Sequence, residues 1–201
     1  PQLPKAKQLV AVAQHSIGLT EGEKMARFEI ASLISKLKLL LADLDALTVQ
    51  LEELAKQMTD YEYLASVPGI GDATIVELLS EVGTFTQYEH PRQLIKLAGL
   101  TLRENSSGQH KGQKRISKRG RRKLRAVLFR VMMPLIRHNR AFKALHQYYT
   151  NRAHNPLRKK QSIVVLCGKL LKILHALCHK KIMFNEDAMM KDLYCLQDAV
   201  A

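Results

Sequence analysis

The feature that most restricts how this chain can fold is a long heptad stripe near its N-terminus. Ala26, Ile30, Leu33, Leu37, Leu40, Leu44, Leu47, Leu51, Leu54 and Met58 follow one another at alternating steps of four and three. A period of 3.5 keeps these side chains on one side of an α-helix and excludes a strand, whose period is two. Lys36, Lys38, Asp43, Asp45, Gln50, Glu52, Glu53 and Lys56 flank the stripe. The spacing predicts a helix over residues 21–60, ~60 Å long at ~1.5 Å per residue. Such a stripe has to be covered, by a second copy in a coiled coil or by neighbouring helices of a bundle. The coiled coil is the expected form, which makes the chain a homodimer or higher homo-oligomer.

Shorter helical patterns surround the stripe. Residues 5–17 read as a short helix. After a change of composition at residues 61–68, DATIVELLSEV (72–82) reads as a helix capped at Asp72 and ended by Gly83. Residues 91–99 read as another, with Pro91 in its first turn. A helix is expected over 120–138, with Pro134 kinking or dividing it, and helix continues over 139–150. The last is 157–181, with Ile163, Leu166, Leu170, Leu174 and Leu177 on one face. Strand signals are weak throughout. The expected fold class is therefore all-α: a long coiled-coil helix, then a compact helical domain. The expected boundaries are 1–20 for a linker with a short helix, 21–60 for the coiled coil, 61–185 for the compact domain and 186–201 for a tail.

Charge divides the chain in two. Residues 1–102 carry nine basic and thirteen acidic side chains, whereas residues 103–201 carry 23 basic and five acidic. So lopsided a split points to a polyanion meeting the C-terminal half, most often nucleic acid, in preference to a merely solubilising face. Aromatics are scarce, with no Trp at all, which argues against recognition of single strands by base stacking. No apolar run approaches a membrane span, and the start, PQLPKAKQLV, has neither a signal-peptide core nor an initiator Met. The chain is expected to be a piece of a longer one and to meet no membrane. Cys167, Cys178 and Cys195 lack CxxC spacing and fit a reducing cytoplasm. His175, Cys178 and His179 share a helix face but need a further ligand to hold a metal, so packing is the expected role and no metal is expected in this chain.

Three motifs carry chemistry. Val67-Pro68-Gly69-Ile70-Gly71 is a tight turn opening a helix, with its glycines letting backbone N–H groups face outward. Gly69, Ile70 and Gly71 are candidates for a sequence-independent phosphate contact of the helix–hairpin–helix kind; a plain αα-corner is the alternative. The segment ENSSGQHKGQKRISKRGRRKLR (104–125) supplies Lys111, Lys114, Arg115, Lys118, Arg119, Arg121, Arg122 and Arg125, together with Lys123. Six phosphate contacts from it weaken binding by about three decades between 50 and 200 mM salt. Within the same segment, Ser106 and Ser107 precede Gly108. A serine among cations is a potential nucleophile toward phosphorus, and Ser-Ser-Gly is equally the composition of a flexible loop.

In order, LASVPGIGDATIVELLSEVGTF, then LAGL, then the Ser-Ser-Gly segment with ISKRG and LR resemble the C-terminal transposase domain of IS110-type insertion-sequence enzymes, also called DEDD or bridge-RNA-guided transposases. The resemblance runs from about residue 5 to about 185 and includes the coiled coil. It implies a recombinase that exchanges DNA strands through a covalent serine–phosphate intermediate, with Ser107 as the nucleophile and Ser106 next in line. It implies double-stranded DNA and a structured guide RNA as partners, in bacterial cytoplasm at the nucleoid. It also implies an acidic tetrad binding Mg²⁺ in an N-terminal domain, which this chain does not include. Taken alone, the chain is expected to bind nucleic acid without recombining it. The alternative is a non-catalytic helix–hairpin–helix DNA-binding or scaffold protein.

Overall fold

The structure, a computed structural model, describes residues 3–16, 18, 22–103 and 115–191. By its contacts the chain divides into two compact units, Pro1–Thr48 and Val49–Ala201. The first unit holds α1 (Leu3–Gln14) and most of α2 (Glu23–Lys56). The second holds the end of α2, then α3 (Tyr61–Ala65), α4 (Asp72–Val82), α5 (Pro91–Leu97), α6 (Arg122–His138), α7 (Arg140–Asn151) and α8 (Lys159–Lys180). The chain is mainly α-helical, in line with the period of its apolar residues.

The heptad stripe forms the expected long helix. Along α2, Ile30, Leu33, Leu37, Leu40, Leu44, Leu47, Leu51 and Leu54 are exposed. The helix stops at Lys56, four residues earlier than its pattern suggests, and Ala55 and Met58 pack on the core of the second unit. Met58 therefore leaves the stripe. Every residue of the hydrophobic core among the described residues lies at or beyond Ala55.

That core is organised around α8, which packs on α3, α5, α6, α7 and the 3₁₀ turn Phe85–Gln87. Leu166, Leu170, Leu171 and Leu174 are fully buried on it. At 22 residues and a mean hydropathy of 1.5 in its most apolar window, α8 is long and apolar enough to cross a membrane, contrary to the expectation that no segment is. Half of that window is buried within the unit, as befits the central helix of a bundle. Asp60, 1 % exposed, accepts a 2.6 Å bond from Phe85 N and ties the start of α3 to the 3₁₀ turn.

Helices α4 and α6 lie antiparallel. Arg121 Nη1 donates to Glu81 O (2.6 Å) at the C-terminal end of α4, Arg130 pairs with Glu77 midway, and Leu135 packs on Gly69 just before α4 begins. Pro134 sits inside α6 without dividing it. The break falls instead at Asn139, whose extended backbone ends α6 and whose Oδ1 accepts from Ala141 N and Phe142 N to open α7. Thus α7 is a separate helix, opened by the buried Asn139 side chain, which caps its first amides. The expected cap of α4 also moves: Gly71 is the N-cap, and Asp72 Oδ1 accepts from Tyr61 OH (2.8 Å).

One feature lies outside an all-helical reading. β1 (Leu102–Arg103) pairs antiparallel with β2 (Arg115–Ile116), in register Leu102 with Ile116 and Arg103 with Arg115. Two residues a side are too few for periodicity to reveal.

Candidate nucleic-acid interface

The basic segment is anchored by backbone hydrogen bonds and by Ile116, which packs against the core. Ser117 N donates to Thr101 O (2.7 Å), Lys118 N to Gly99 O (3.0 Å) and Arg121 N to Leu97 O (2.7 Å). These bonds lay ISKRG (116–120) against LAGL (97–100), the two motifs that flank the Ser-Ser-Gly stretch in sequence. The contact leaves no room for a side chain at Gly120: a Cβ there meets Gly99 N at 2.7 Å and Leu97 O closer still, at φ +150. Ser117 and Thr101 share a further hydroxyl bond (3.1 Å).

Two of the arginines expected to meet phosphate are engaged within the chain. Arg125 Nη1 donates to Ala98 O (3.0 Å) and lies 3.5 Å from Lys118 O, locking the same junction. Arg121 is the N-cap of α6, and its guanidinium sits on Glu81 O with the Glu81 carboxylate 3.9 Å away. Basic charge at the start of α6 opposes that helix's dipole, but here it answers the negative end of antiparallel α4. The cost is met by a neighbouring helix, so it requires no ligand. Lys118, Arg119, Arg122 and Lys123 remain exposed, with no ion pair or side-chain hydrogen bond among the described residues. Lys118 holds a left-handed φ of +54. Arg115 lies in β2 opposite Arg103. Ser106, Ser107, Lys111 and Lys114 lie outside the described residues.

The Val67–Gly71 turn is closed by Ile70 N donating to Val67 O (3.1 Å). Gly69 has φ +101, and a Cβ on it reaches Leu135 Cδ2 at 3.0 Å, so both conformation and packing demand glycine. The Ile70 side chain is 7 % exposed and belongs to the core, and its amide closes the turn, while Gly69 and Gly71 on either side are exposed. The first amides of α4 have no intrahelical acceptor, yet Asp72 on that turn carries its own negative charge, with Lys56 Nζ 3.9 Å from it. The Tyr61 phenol bonded to Asp72 has its pKa raised. By itself the turn is poorly charged for a phosphate. The structure adds what the sequence reading overlooked: Leu135 brings exposed Arg137, His138 and Arg140 to the same end of the domain.

The turn and the basic segment stand at opposite ends of α4, an eleven-residue helix ~16 Å long at ~1.5 Å per residue. They are two separate candidate contacts, not one cluster.

The thiols and imidazoles on α8 are structural. Burial pushes both the Cys167 and the Cys178 thiol up to about 12, the latter helped by Asp60, which makes them poor nucleophiles and poor metal ligands. His175 and His179 stack at 4.1 Å, and each Nε2 donates to Tyr88 O (2.7 and 2.9 Å). Among the described residues no group of three or more His, Cys, Asp or Glu is placed to hold a metal ion.

Known proteins are similar in sequence to this part of the chain. Residues 61–147 match the family described as Transposase IS116/IS110/IS902. The match covers α3 to most of α7, and so both candidate contacts. The transposase for insertion sequence element IS1111A of Coxiella burnetii (strain RSA 493 / Nine Mile phase I) is 36% identical over 89 residues, 44% of this chain and 24% of its own. The pilin gene-inverting proteins of Moraxella bovis and Moraxella lacunata are each 31% identical over 125 residues, 61% of this chain and 38% of theirs. The chain thus spans 24% to 38% of the length of these relatives.

Proposed function

We propose that this chain is the DNA-binding, serine-bearing part of a transposase or site-specific recombinase that exchanges the strands of an insertion sequence. The observation that carries this reading is the match of residues 61–147 to a transposase family across the anchored basic segment. The names of the relatives, a transposase and two gene-inverting proteins, point the same way. Lys118, Arg119, Arg122 and Lys123 offer cations at the α6 end, on a junction stiffened by backbone bonds. Stiff cations lose little freedom when they meet a duplex backbone.

Ser107 is the proposed nucleophile, with Ser106 as the alternative. Its Oγ forms a bond to phosphorus while a P–O bond of the strand breaks; the serine proton passes to a base and the departing sugar oxygen takes one up. Mg²⁺ is expected to be held elsewhere in the full-length protein. A structured guide RNA and a homo-oligomer built through α2 complete the proposed assembly, working in the bacterial cytoplasm on chromosomal DNA. In this scheme Val67–Gly71 acts as a helix–hairpin–helix turn.

The test uses full-length protein with its RNA, Mg²⁺ and DNA, and follows covalent protein–DNA adduct by denaturing electrophoresis. The adduct is expected in wild type and Ser106→Ala and absent from Ser107→Ala. Its persistence in Ser107→Ala removes the assignment. DNA binding with no adduct from any form favours a non-catalytic helix–hairpin–helix scaffold.

A further inference from the structure

Resting on the proposed binding of duplex DNA, we propose that Arg137, His138 and Arg140, at the corner between α6 and α7, form a second phosphate contact with the Val67–Gly71 turn. A duplex then lies along α6, held at both ends. The exposed face of α6 supports this. Lys123, Arg130 and Arg137 are spaced by seven, which returns a helix to within ~20° of the same side. Exposed Ala126 and Met133 lie between them on that stripe.

Along the stripe, the charges are not equally available. Arg130 in the middle is already paired with Glu77, and Arg121, the N-cap and off the stripe, is held by Glu81. Arg137, His138 and Arg140 make no hydrogen bond or ion pair through their side chains among the described residues, and neither do Arg122 and Lys123. Free positive charge is therefore concentrated at the two ends of α6. Lys123 and Arg137 are fourteen residues apart, ~21 Å along the axis, about the rise of six base pairs.

The corner is also what the turn lacks. Asp72 makes the first turn of α4 anionic, and Glu186 Oε1 accepts from Ala141 N (3.1 Å) at the start of α7. Both carboxylates repel a phosphate, so outward amides alone draw one weakly. Arg137 and Arg140, in the chain just beyond Leu135, offset these two carboxylates and let the amides of the turn contribute, with the exposed His138 ring as a further polar group. Asn139, 1 % exposed at the centre of the corner, fixes the direction in which the two helices carry these side chains.

The experiment measures binding of the 201-residue chain to a 20-base-pair fluorescent duplex by anisotropy, across ~50 to ~200 mM salt. Three variants are compared with wild type: Arg137→Ala/Arg140→Ala, Arg122→Ala/Lys123→Ala, and Arg137→Lys/Arg140→Lys. Each alanine pair is expected to lower affinity about tenfold and to reduce the slope of log K against log salt by about 2, at ~0.9 per phosphate. The two losses should add, and the lysine pair should restore the slope, which separates loss of charge from loss of fold. Unchanged affinity and slope in Arg137→Ala/Arg140→Ala, with wild-type binding intact, overturns this inference alone. No duplex binding by wild type overturns the proposed function with it. An effect confined to an RNA duplex of the same sequence assigns the corner to RNA and overturns the DNA contact.

Discussion

Gly120 bears more of the site's architecture than any charged residue beside it. Its φ of +150 and its approach to Leu97 O and Gly99 N allow ISKRG to lie on LAGL. A Cβ at this position meets backbone on both sides, which cannot swing away as a side chain would. Gly120→Ala is expected to destabilise the domain by more than ~2 kcal/mol, read as a lower midpoint in urea denaturation. An unchanged midpoint contradicts the close contact. The arginines divide by partner rather than by sequence position. Arg121 and Arg125 bond to carbonyls of α4 and of LAGL, while Arg122, between them in sequence, stays exposed. One position changes the side of a helix by about 100° and so decides between a packing role and a solvent role. That is why a run of basic residues reads uniformly in sequence and works unevenly in the fold.

At the level of elements, α2 and α6 contrast in how they use an amphipathic face. Leu124, Leu128, Val131, Met132 and Leu135 of α6 are buried within the unit, leaving its basic stripe outside. On α2 the apolar face itself is outside: Ile30 and Leu37 remain more than half exposed, 56 % and 57 %. Ile34 and Leu41 widen that face beyond the two positions per heptad of a minimal coiled coil, and both are exposed. Each large side chain covered is worth about 1.5–3 kcal/mol, so a self-associated α2 is strongly favoured over a solvated one. Sedimentation at tens of micromolar should give a mass of at least a dimer. Leu37→Asp/Leu44→Asp should return it to monomer while leaving the circular dichroism of the second unit intact. A wild-type monomer removes the assembly role of α2.

At the level of the whole molecule, the core lies in the second unit, so folding does not require the first 48 residues. A chain of residues 49–201 is expected to keep one cooperative thermal transition and its near-ultraviolet tyrosine signal. Loss of both shows that the first unit contributes to the fold. The sequence alone determined the long amphipathic helix, the helical class, the Pro91 and Gly83 boundaries and the concentration of positive charge beyond residue 102. Each of these depends on neighbours along the chain, where period, cap and charge are written locally. Only the tertiary structure decided that Ile70 is core, that α6 passes through Pro134 and ends at Asn139, and that the turn and the basic segment lie at opposite ends of α4. It alone brought Leu135, at the end of α6, to Gly69, sixty-six positions away. Those outcomes depend on which helix packs antiparallel to which, and long-range packing leaves no periodic trace in the chain.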